Sequence, residues 1–339
     1  MKIVPLEHNP VQARDYLNER SLQIGHILPV GDSLFREHFA LGSSFLLLKG
    51  KAIDAIFSYH TGRDKHVPTA RFRVVTDSLL GLKGATRVVE ETALAGEKMV
   101  VTTTVFGYDR KRLQALKALG YTVGASLPGT VSLDGRRFDY HLLFKDLGSA
   151  YKSRPRRSYA KPGLYAQVEV EKAKTPKLKI REYKREDRPL LDKFITHHNV
   201  IRGIASGVFE DLYPWPLGGY QQRVDFGHVF PIVCEDELIR EPVGTVDLSK
   251  DSAEVMQHSM SLGIVVRAEY QGLGVGTMLM EAARTLAEVA SRKNLARRFD
   301  GNTPAQNLYR KAGFEESGRV PGWLQEGYVD EIFMTLKLD

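Results

Sequence analysis

The stretch YQGLGVGTMLMEAARTLAEVA, residues 270–290, places three glycines directly before a helical pattern. Gly272, Gly274 and Gly276 follow an apolar, strand-like run at residues 262–266. The first N–H groups of a helix have no acceptor within the helix, and its N-terminus carries about half a unit of positive charge. The order of strand, glycine turn and helix therefore predicts a binding site for an anion, above all a phosphate.

The spacing of these glycines differs from two common phosphate-binding motifs. No Lys-Ser or Lys-Thr pair follows Gly276, as a P-loop requires, and the dinucleotide fingerprint has a different spacing. The alternative interpretation is a tight turn between a strand and a helix that binds nothing.

The totals indicate a globular chain with more than one domain. The chain has 339 residues, which is long for a single hydrophobic core. Its one cysteine, Cys234, rules out a disulfide within the chain and a cysteine-based zinc site. No apolar run is long enough for a membrane span, and the first residues, MKIVPLEHNP, lack the apolar core of a signal peptide. We expect a cytoplasmic protein without a membrane partner.

The net charge of +7 is unevenly distributed. Residues 180–339 contain more Asp and Glu than Lys and Arg, so we do not expect nucleic acid as a partner. Residues 149–177 form a basic, Pro-containing linker, which includes Lys152, Arg154, Arg156, Arg157 and Lys161. We interpret it as a solvated connector; a basic strap over phosphate or an acidic partner is the alternative.

Repeated spacings indicate two copies of one fold, at residues 1–148 and 178–339. Each copy has a glycine followed by an aromatic residue after a helical run, and each has an Asp eight residues before a closing Leu. A further glycine precedes the glycine of this glycine-aromatic pair by 36 residues in the first copy and by 37 residues in the second. The matched residues are Gly120-Tyr121 and Gly313-Phe314, Asp139–Leu147 and Asp330–Leu338, and Gly84 and Gly276.

The hydrophobic pattern of the second copy predicts alternating strands and helices. A long helix beginning near residue 275 places Met278, Leu279, Ala282, Ala283, Leu286 and Val289 near one side. A second helix has Thr303 as its N-cap, Pro304 at its first position and Gly313 past its end.

The order of SLGIVVRAEYQGLGVGTMLM, residues 261–280, and NTPAQNLYRKAGF, residues 302–314, resembles the GCN5-related N-acetyltransferase (GNAT) family. The resemblance covers about residues 178–339. It implies an α+β fold with two GNAT-like domains, each a mixed and mostly antiparallel sheet flanked by helices. The first domain then looks like a degenerate copy.

The resemblance implies acetyl-CoA as co-substrate, without a metal. In the family, a Gln/Arg-x-x-Gly-x-Gly/Ala turn holds the pyrophosphate, the strand before it splays and pairs with the pantetheine arm, and an Asn contacts that arm. The corresponding cofactor-binding residues here are Ile264, Val265, Val266, Gln271, Gly272, Leu273, Gly274, Val275, Gly276, Thr277 and Asn302.

The same resemblance assigns Tyr309 as the catalytic acid. A phenol can donate a proton to the leaving thiolate. The alternative role of Tyr309 is packing on an amphipathic helix.

The base that would take the proton of the amine is less evident. Some relatives carry a carboxylate on the strand before the Asn, at a position where this chain has Arg297. Others carry a Glu on the central strand, near the position of Ser261 in this chain. His258 is our catalytic candidate, with Asp247 and Glu326 as alternatives.

The first copy departs from the family pattern where the chemistry is expected. Alignment on the repeated glycines places Leu79, Leu82 and Leu116 at the positions of Gln271, Gly274 and Tyr309. It places Asp109 at the position of Asn302. A leucine cannot protonate a thiolate, and Leu82 would crowd a phosphate.

The predicted function is acetyl transfer to a primary amine of a small molecule or a peptide, by direct attack in a ternary complex. An acyl-CoA-binding sensor with little transferase activity is the alternative, and action on RNA is a third hypothesis. A homodimer is left open, as are the acceptor and the length of the acyl chain.

Overall fold

The computed structural model describes residues 1–26, 44–60, 69–96, 98–148, 171–192, 217–251, 253–290, 294–299, 303–324 and 329–338. The chain divides into two compact units. The first unit contains Met1–Arg156, Ala253–Met256 and Ser317–Ile332; the second contains Arg157–Ser252, Gln257–Glu316 and Phe333–Asp339. The predicted linker lies mostly outside the described residues, so its boundaries stay a prediction.

The first unit is an antiparallel sheet with one parallel pair. Its elements are β1 (Lys2–Pro5), α1 (Pro10–Asn18), β2 (Ser44–Lys49), β3 (Ala52–His60), β4 (Thr69–Val75), α2 (Leu79–Ala95), β5 (Val100–Phe106), α3 (Arg110–Ala118), β6 (Thr122–Leu133) and β7 (Arg136–Asp146). The strands lie in the order β1-β2-β3-β4-β5-β7-β6. The parallel pair is β4 with β5, because helix α2 connects them.

The second unit repeats this order of elements. It contains β8 (Leu178–Glu182), helical residues 188–192, α4 (Leu217–Asp225), β9 (Val229–Asp236), β10 (Glu241–Lys250), β11 (Ser259–Val266), α5 (Val275–Val289), β12 (Asn294–Phe299) and α6 (Thr303–Lys311). Strands β13 (Glu315–Leu324) and β14 (Val329–Lys337) contribute residues to both units.

The strand order of the second series matches that of the first. It runs β8-β9-β10-β11-β12-β14-β13, and its parallel pair, β11 with β12, is again joined by a helix. Both series are mixed α+β arrangements. This agreement supports the prediction of two copies of one fold.

The core of each unit follows from strand alternation. In β4, Ala70, Phe72 and Val74 are buried against one side of α2, which contributes Leu82 and Val89. In the second unit, α5 covers the face of β10 at Gly244, where an added Cβ would lie 2.8 Å from Val275 Cγ1 and 3.0 Å from Leu279 Cδ1. Among the described residues, no helix is long and apolar enough to span a membrane.

Two details of the predicted second copy are wrong. Val289 is 77% exposed, because α5 ends at this residue, and the buried side of the helix instead includes Met280 and Ala287. The central strand, which the sequence pattern predicts at residues 255–266, begins at Ser259, because residues 254–256 form a short 3-10 helix.

The predicted equivalence of Gly84 and Gly276 is also wrong. Gly276 is the second residue of α5, whereas Gly84 is the sixth residue of α2. The spacings of 36 and 37 residues are similar by chance, because α2 and β5 have 17 and 7 residues whereas α5 and β12 have 15 and 6. Leu79 and Leu82, the first and fourth residues of α2, therefore do not correspond to Gln271 and Gly274. Gly120 and Gly313 do correspond: both follow a helix in the left-handed conformation, with φ values of +88° and +90°.

Gly318 of β13 makes the closest backbone approach in the first unit. It pairs with Ala125 of β6 and has a φ of +135°. An added Cβ would lie 2.3 Å from the carbonyl oxygen of Gly124 and 2.5 Å from Ala125 Cα. No real Cβ tolerates such distances to backbone atoms, so glycine is required there.

We predict that Gly318→Ala lowers the free energy of unfolding by about 3 kcal/mol. Gly135→Ala is the matched control, because Gly135 also has a positive φ, +73°, but has open space around it. The control should cost only about 1 kcal/mol of conformational strain. Urea unfolding of both variants measures the difference; equal losses would contradict the close approach.

Candidate active site

The second unit opens where β11 and β12 part. β11 pairs with β10 over its length, from Gly244↔Val266 to Lys250↔Met260. Its parallel pairing with β12 ends after three pairs, the last being Ser261↔Ala296. Among the described residues, no strand pairs with the other edge of residues 263–266. Backbone polar groups at this edge can therefore pair with an extended ligand.

The glycine turn lies at the end of that strand segment and begins α5. Gly272 and Gly274 have φ values of +83° and +91°, and an added Cβ at either would meet no heavy atom within 4 Å. Gly274 is the N-cap of α5 and no side chain caps the helix. The first helical hydrogen bond runs from Met278 N to Gly274 O, at 3.1 Å. The N–H groups of this first turn therefore face open space and suit an anion.

Side chains from the flanking residues hold the turn in place. Gln271 Nε2 donates to the Val266 carbonyl at 3.1 Å, and Tyr270, which is buried, donates its hydroxyl to Asp236 Oδ2 at 3.0 Å. Burial, followed by this hydrogen bond, raises the pKa of Tyr270 to about 12. Arg267 pairs with Glu241 and Glu269. The turn is thus preorganised before any ligand binds, with Gln271 bridging it to the strand.

Gly276 has a different role from the other two glycines. Its φ is not left-handed, and an added Cβ would lie 3.0 Å from Leu308 Cδ2 of α6. The absence of a side chain at Gly276 allows α6 to pack against the first turn of α5. The two sequence motifs are therefore in direct contact.

Tyr309, the predicted acid, follows Leu308 on α6 and is fully buried. Its ring makes an edge contact with Phe314, with centroids 5.2 Å apart. Phe314 N donates to the Tyr309 carbonyl at 2.9 Å, which closes the helix end at Gly313. The structure thus fixes the position of Tyr309 through packing and through the helix end.

The remaining predicted residues are distributed around this opening. The part of β11 that pairs with β10 but not with β12 contains Ile264, Val265 and Val266, which are half-buried. The glycine turn and the first turn of α5 contain Leu273, Val275 and Thr277. His258 lies just before β11, at the end of the strand where it pairs with β12. Asn302 and Glu326 lie outside the described residues.

Sequence reasoning did not predict the polar cluster around Asp247. Tyr220 of α4 donates its hydroxyl to Asp247 Oδ1 at 2.9 Å, and Thr245 lies 3.5 Å from the same oxygen. Burial raises the pKa of Asp247 to about 6, although the hydrogen bond from Tyr220 and the charge of Arg188 act in the opposite direction. Tyr220 lies 27 residues from Asp247, so no local motif could have indicated the contact.

The first unit lacks the glycine turn. Three residues, 76–78, separate β4 from α2, whereas eight, 267–274, separate β11 from α5. Ser78 caps α2, its hydroxyl accepting from Gly81 N at 3.0 Å, and Asp54 Oδ2 would lie 3.0 Å from a Cβ at Gly81. The protein's own side chains therefore occupy the start of this helix.

Arg112 fills the corresponding opening of the first unit. Pairing of β4 with β5 also stops after three pairs, the last being Arg71↔Thr102. Arg112 of α3 donates to the carbonyls of Val74 at 2.6 Å and Thr76 at 3.2 Å, which lie past that point. The equivalent position on α6, counted from the helix start, is Ala305, which is too short to do this.

Residues 226–316 match the model of the acetyltransferase (GNAT) domain. The match extends from the end of α4 to the start of β13 and includes the opening, the turn and Tyr309. It supports acetyl transfer in general and does not specify an amine. No curated protein matches the chain.

Solved acetyltransferase structures resemble this protein over about half of its chain. A ribosomal-protein-alanine N-acetyltransferase from Brucella melitensis is 24% identical over 47% of this chain and 99% of that chain, with a TM-score of 0.41. A putative acetyltransferase from Salmonella typhimurium, solved with acetyl-CoA, is 18% identical over 48% of this chain and 94% of that chain, with a TM-score of 0.41. A phosphinothricin acetyltransferase from Sinorhizobium meliloti, in complex with acetyl-CoA, is 19% identical over 48% of this chain and 88% of that chain, with a TM-score of 0.42.

We predict a pH-dependent stability difference between wild type and Asp247→Asn. The pKa of Asp247 rises from 3.8 to about 6 on folding, so the folded state holds its proton more tightly. Wild-type stability should therefore fall, relative to the variant, as the pH rises through this window, and the variant should gain most above pH 6. Urea unfolding between pH 4 and 7 measures this. Parallel curves for Asp247→Asn and wild type would contradict the prediction.

Proposed function

We propose that the second unit transfers an acetyl group from acetyl-CoA to a primary amine of a small molecule or peptide. The observation that carries this proposal is the unpaired edge of β11 leading directly to an uncapped helix start. An extended amide-containing arm with a phosphate at one end matches these two features in order. The GNAT domain match covers the same residues.

The residues present fit this co-substrate. The N–H groups of residues 272–277 would hold the pyrophosphate, and the open space at Gly272 and Gly274 gives it access to the backbone. The backbone of Ile264, Val265 and Val266 would pair with the pantetheine arm. Gln271 would support the turn through its hydrogen bond to Val266. A contact from Asn302 stays a prediction.

Acetyl-CoA supplies a thioester carbon that an amine can attack. Tyr309 would donate the proton of its hydroxyl to the departing sulfur. Its helix is held against the first turn of α5 by Leu308 and Gly276, so the acid has a fixed position relative to the anion-binding turn. His258 stays a predicted base.

The proposal places one co-substrate site on each chain. In the first unit, Arg112 occupies the opening and Ser78 caps the helix. Leu116 occupies the position of Tyr309 on the equivalent helix and is equally buried. These three substitutions support the interpretation of the first unit as a degenerate copy without chemistry.

We predict that titration calorimetry gives one acetyl-CoA site per chain, and that Gly274→Leu abolishes it. A leucine would enter the open space in front of the turn and would strain a backbone with a φ of +91°. Gly135→Leu is the matched control, with a similar φ and open surroundings in the first unit. Circular dichroism checks the fold. Retained affinity in Gly274→Leu, or a stoichiometry of two, would refute this assignment.

We predict that Tyr309→Phe lowers turnover about 100-fold or more and leaves the affinity for acetyl-CoA nearly unchanged. The lost proton donor acts only as the thiolate leaves, so the cost appears in kcat. Tyr121→Phe, a buried tyrosine of the first unit, is the control. Thiol release against a panel of amines measures the rates. Binding without thiol release from wild type would favour the acyl-CoA sensor instead.

A further inference from the structure

The cluster around Asp247 combines a carboxylate with aromatic rings. Tyr220 donates to Asp247 Oδ1, and the Tyr183 ring packs edge-on against Tyr220, with centroids 6.0 Å apart. Tyr183 directs its own hydroxyl to Gln221 at 3.2 Å, away from Asp247. A carboxylate beside aromatic faces is an environment that favours a cation.

Strand alternation places Asp247 on the face of the sheet opposite α5. Gly244 faces α5, so Val246 and Leu248 share that face, whereas Thr245 and Asp247 point to the face covered by α4. Asp247 is also directly opposite Gly263 of β11. Gly263 is the second residue past the last pair with β12. The carboxylate therefore lies beside the start of the opening, next to a residue without a side chain.

Among the described residues, no cation forms a direct ion pair with Asp247. Arg188, which is buried, lies 4.0 Å from the Tyr220 ring but directs its guanidinium to Asp192, with contacts of 2.9 and 2.6 Å. Arg223 of α4 is the other cation that acts on Asp247. Within the part of the chain that the structure describes, Tyr220 donates to Asp247 Oδ1, while the Thr245 hydroxyl, 3.5 Å from the same oxygen, donates instead to the Ile232 carbonyl at 3.1 Å. Oδ2 accepts no hydrogen bond from these residues.

We propose that Asp247 binds the ammonium group of the acceptor through Oδ2 and takes one of its protons before the nitrogen attacks the thioester. The proposal rests on the proposed acetyl transfer and gives its acceptor a class. The acceptor is an amine that arrives as a cation and has an apolar group next to the ammonium that can pack against aromatic rings. Tyr220 is a positioning residue, because it fixes Oδ1 and leaves Oδ2 directed at the ligand.

The protons balance in this scheme. The cationic amine loses two protons on becoming an amide. One goes to Asp247 Oδ2 before the C–N bond forms, because an ammonium nitrogen has no lone pair with which to attack. The other is matched by the proton that Tyr309 delivers to the sulfur as the C–S bond breaks, after which the phenol is reprotonated. No oxidant, reductant or metal is required.

The geometry favours Asp247 over His258 as the acceptor of this proton. His258 lies three residues before Ser261, the last residue of β11 that pairs with β12. At about 3.3 Å per residue, this places it roughly 10 Å back along the closed end of the strand. Asp247 lies two residues past the pairing, on the open side.

The binding test requires no co-substrate. Carboxyl-carbon NMR of the full chain follows the Asp247 resonance, which Asp247→Asn identifies by its loss. Propylamine is the probe and propanol is its uncharged control. We expect the free group to titrate near pH 6. Propylamine should lower this midpoint and propanol should not, because a cation favours the carboxylate. Tyr220→Phe should raise the midpoint, because the phenol stabilises the ionised form; Tyr183→Phe should not.

The activity test uses the best amine from the thiol-release panel. Asp247→Asn should lower kcat/KM for the amine about 100-fold or more, with KM for acetyl-CoA little changed. Tyr220→Phe should cost about tenfold and move the acid limb of the pH profile upward. Asp225→Asn, also an exchange of Asp for Asn near α4 but exposed, should behave as wild type.

The outcomes separate this proposal from the proposed function. An Asp247 midpoint that propylamine does not move would overturn the binding role, and an unchanged kcat/KM in Asp247→Asn would overturn the proton-accepting role. If propylamine moves the midpoint but no amine in the panel is acetylated, the amine site stands and the proposed acetyl transfer fails.

Discussion

The parallel pairing that stops after three residue pairs is the constraint on which both units depend. Two adjacent strands that part leave backbone groups without a strand partner, and such groups must be satisfied. In the first unit, Arg112 reaches across and donates to the Val74 and Thr76 carbonyls. In the second unit, the equivalent helix position is Ala305, and no strand among the described residues pairs with this edge of β11 past Ser261. One side chain therefore distinguishes a closed version of this fold from an open one.

The helices that begin next to these openings also differ between the two units. Ser78 and Asp54 supply the oxygen atoms at the start of α2, so that helix contains its own polar partners. The longer connection before α5 has no capping side chain and instead adopts two left-handed glycines. Loop length thus determines whether the positive end of the helix faces the protein's own oxygen atoms or faces solvent and solutes.

The sequence predicts those parts of the fold that depend on local pattern. The turn at Gln271–Gly276 and the helix ending before Gly313 both follow from spacing or motif. The predicted position of Val289 on the apolar side of α5 was wrong, because periodicity does not indicate where a helix ends. Gly84 was misaligned because similar glycine spacings do not reveal that α2 and β5 are together three residues longer than α5 and β12. The contacts from Tyr220 to Asp247 and from Arg112 to Val74 join residues 27 and 38 positions apart, and only the assembled sheet brings them together.

The contact between Leu308 and the first turn of α5 has a mechanical consequence. Leu308 precedes Tyr309 and lies 3.0 Å from the point where Gly276 would carry a Cβ. The first turn of α5, the proposed anion site, and α6, which carries the Tyr309 phenol, are therefore in direct contact. A displacement of the first turn by its ligand would be transmitted to the phenol without passing through a flexible loop. Occupancy at one end of the site and proton delivery at the other would then change together.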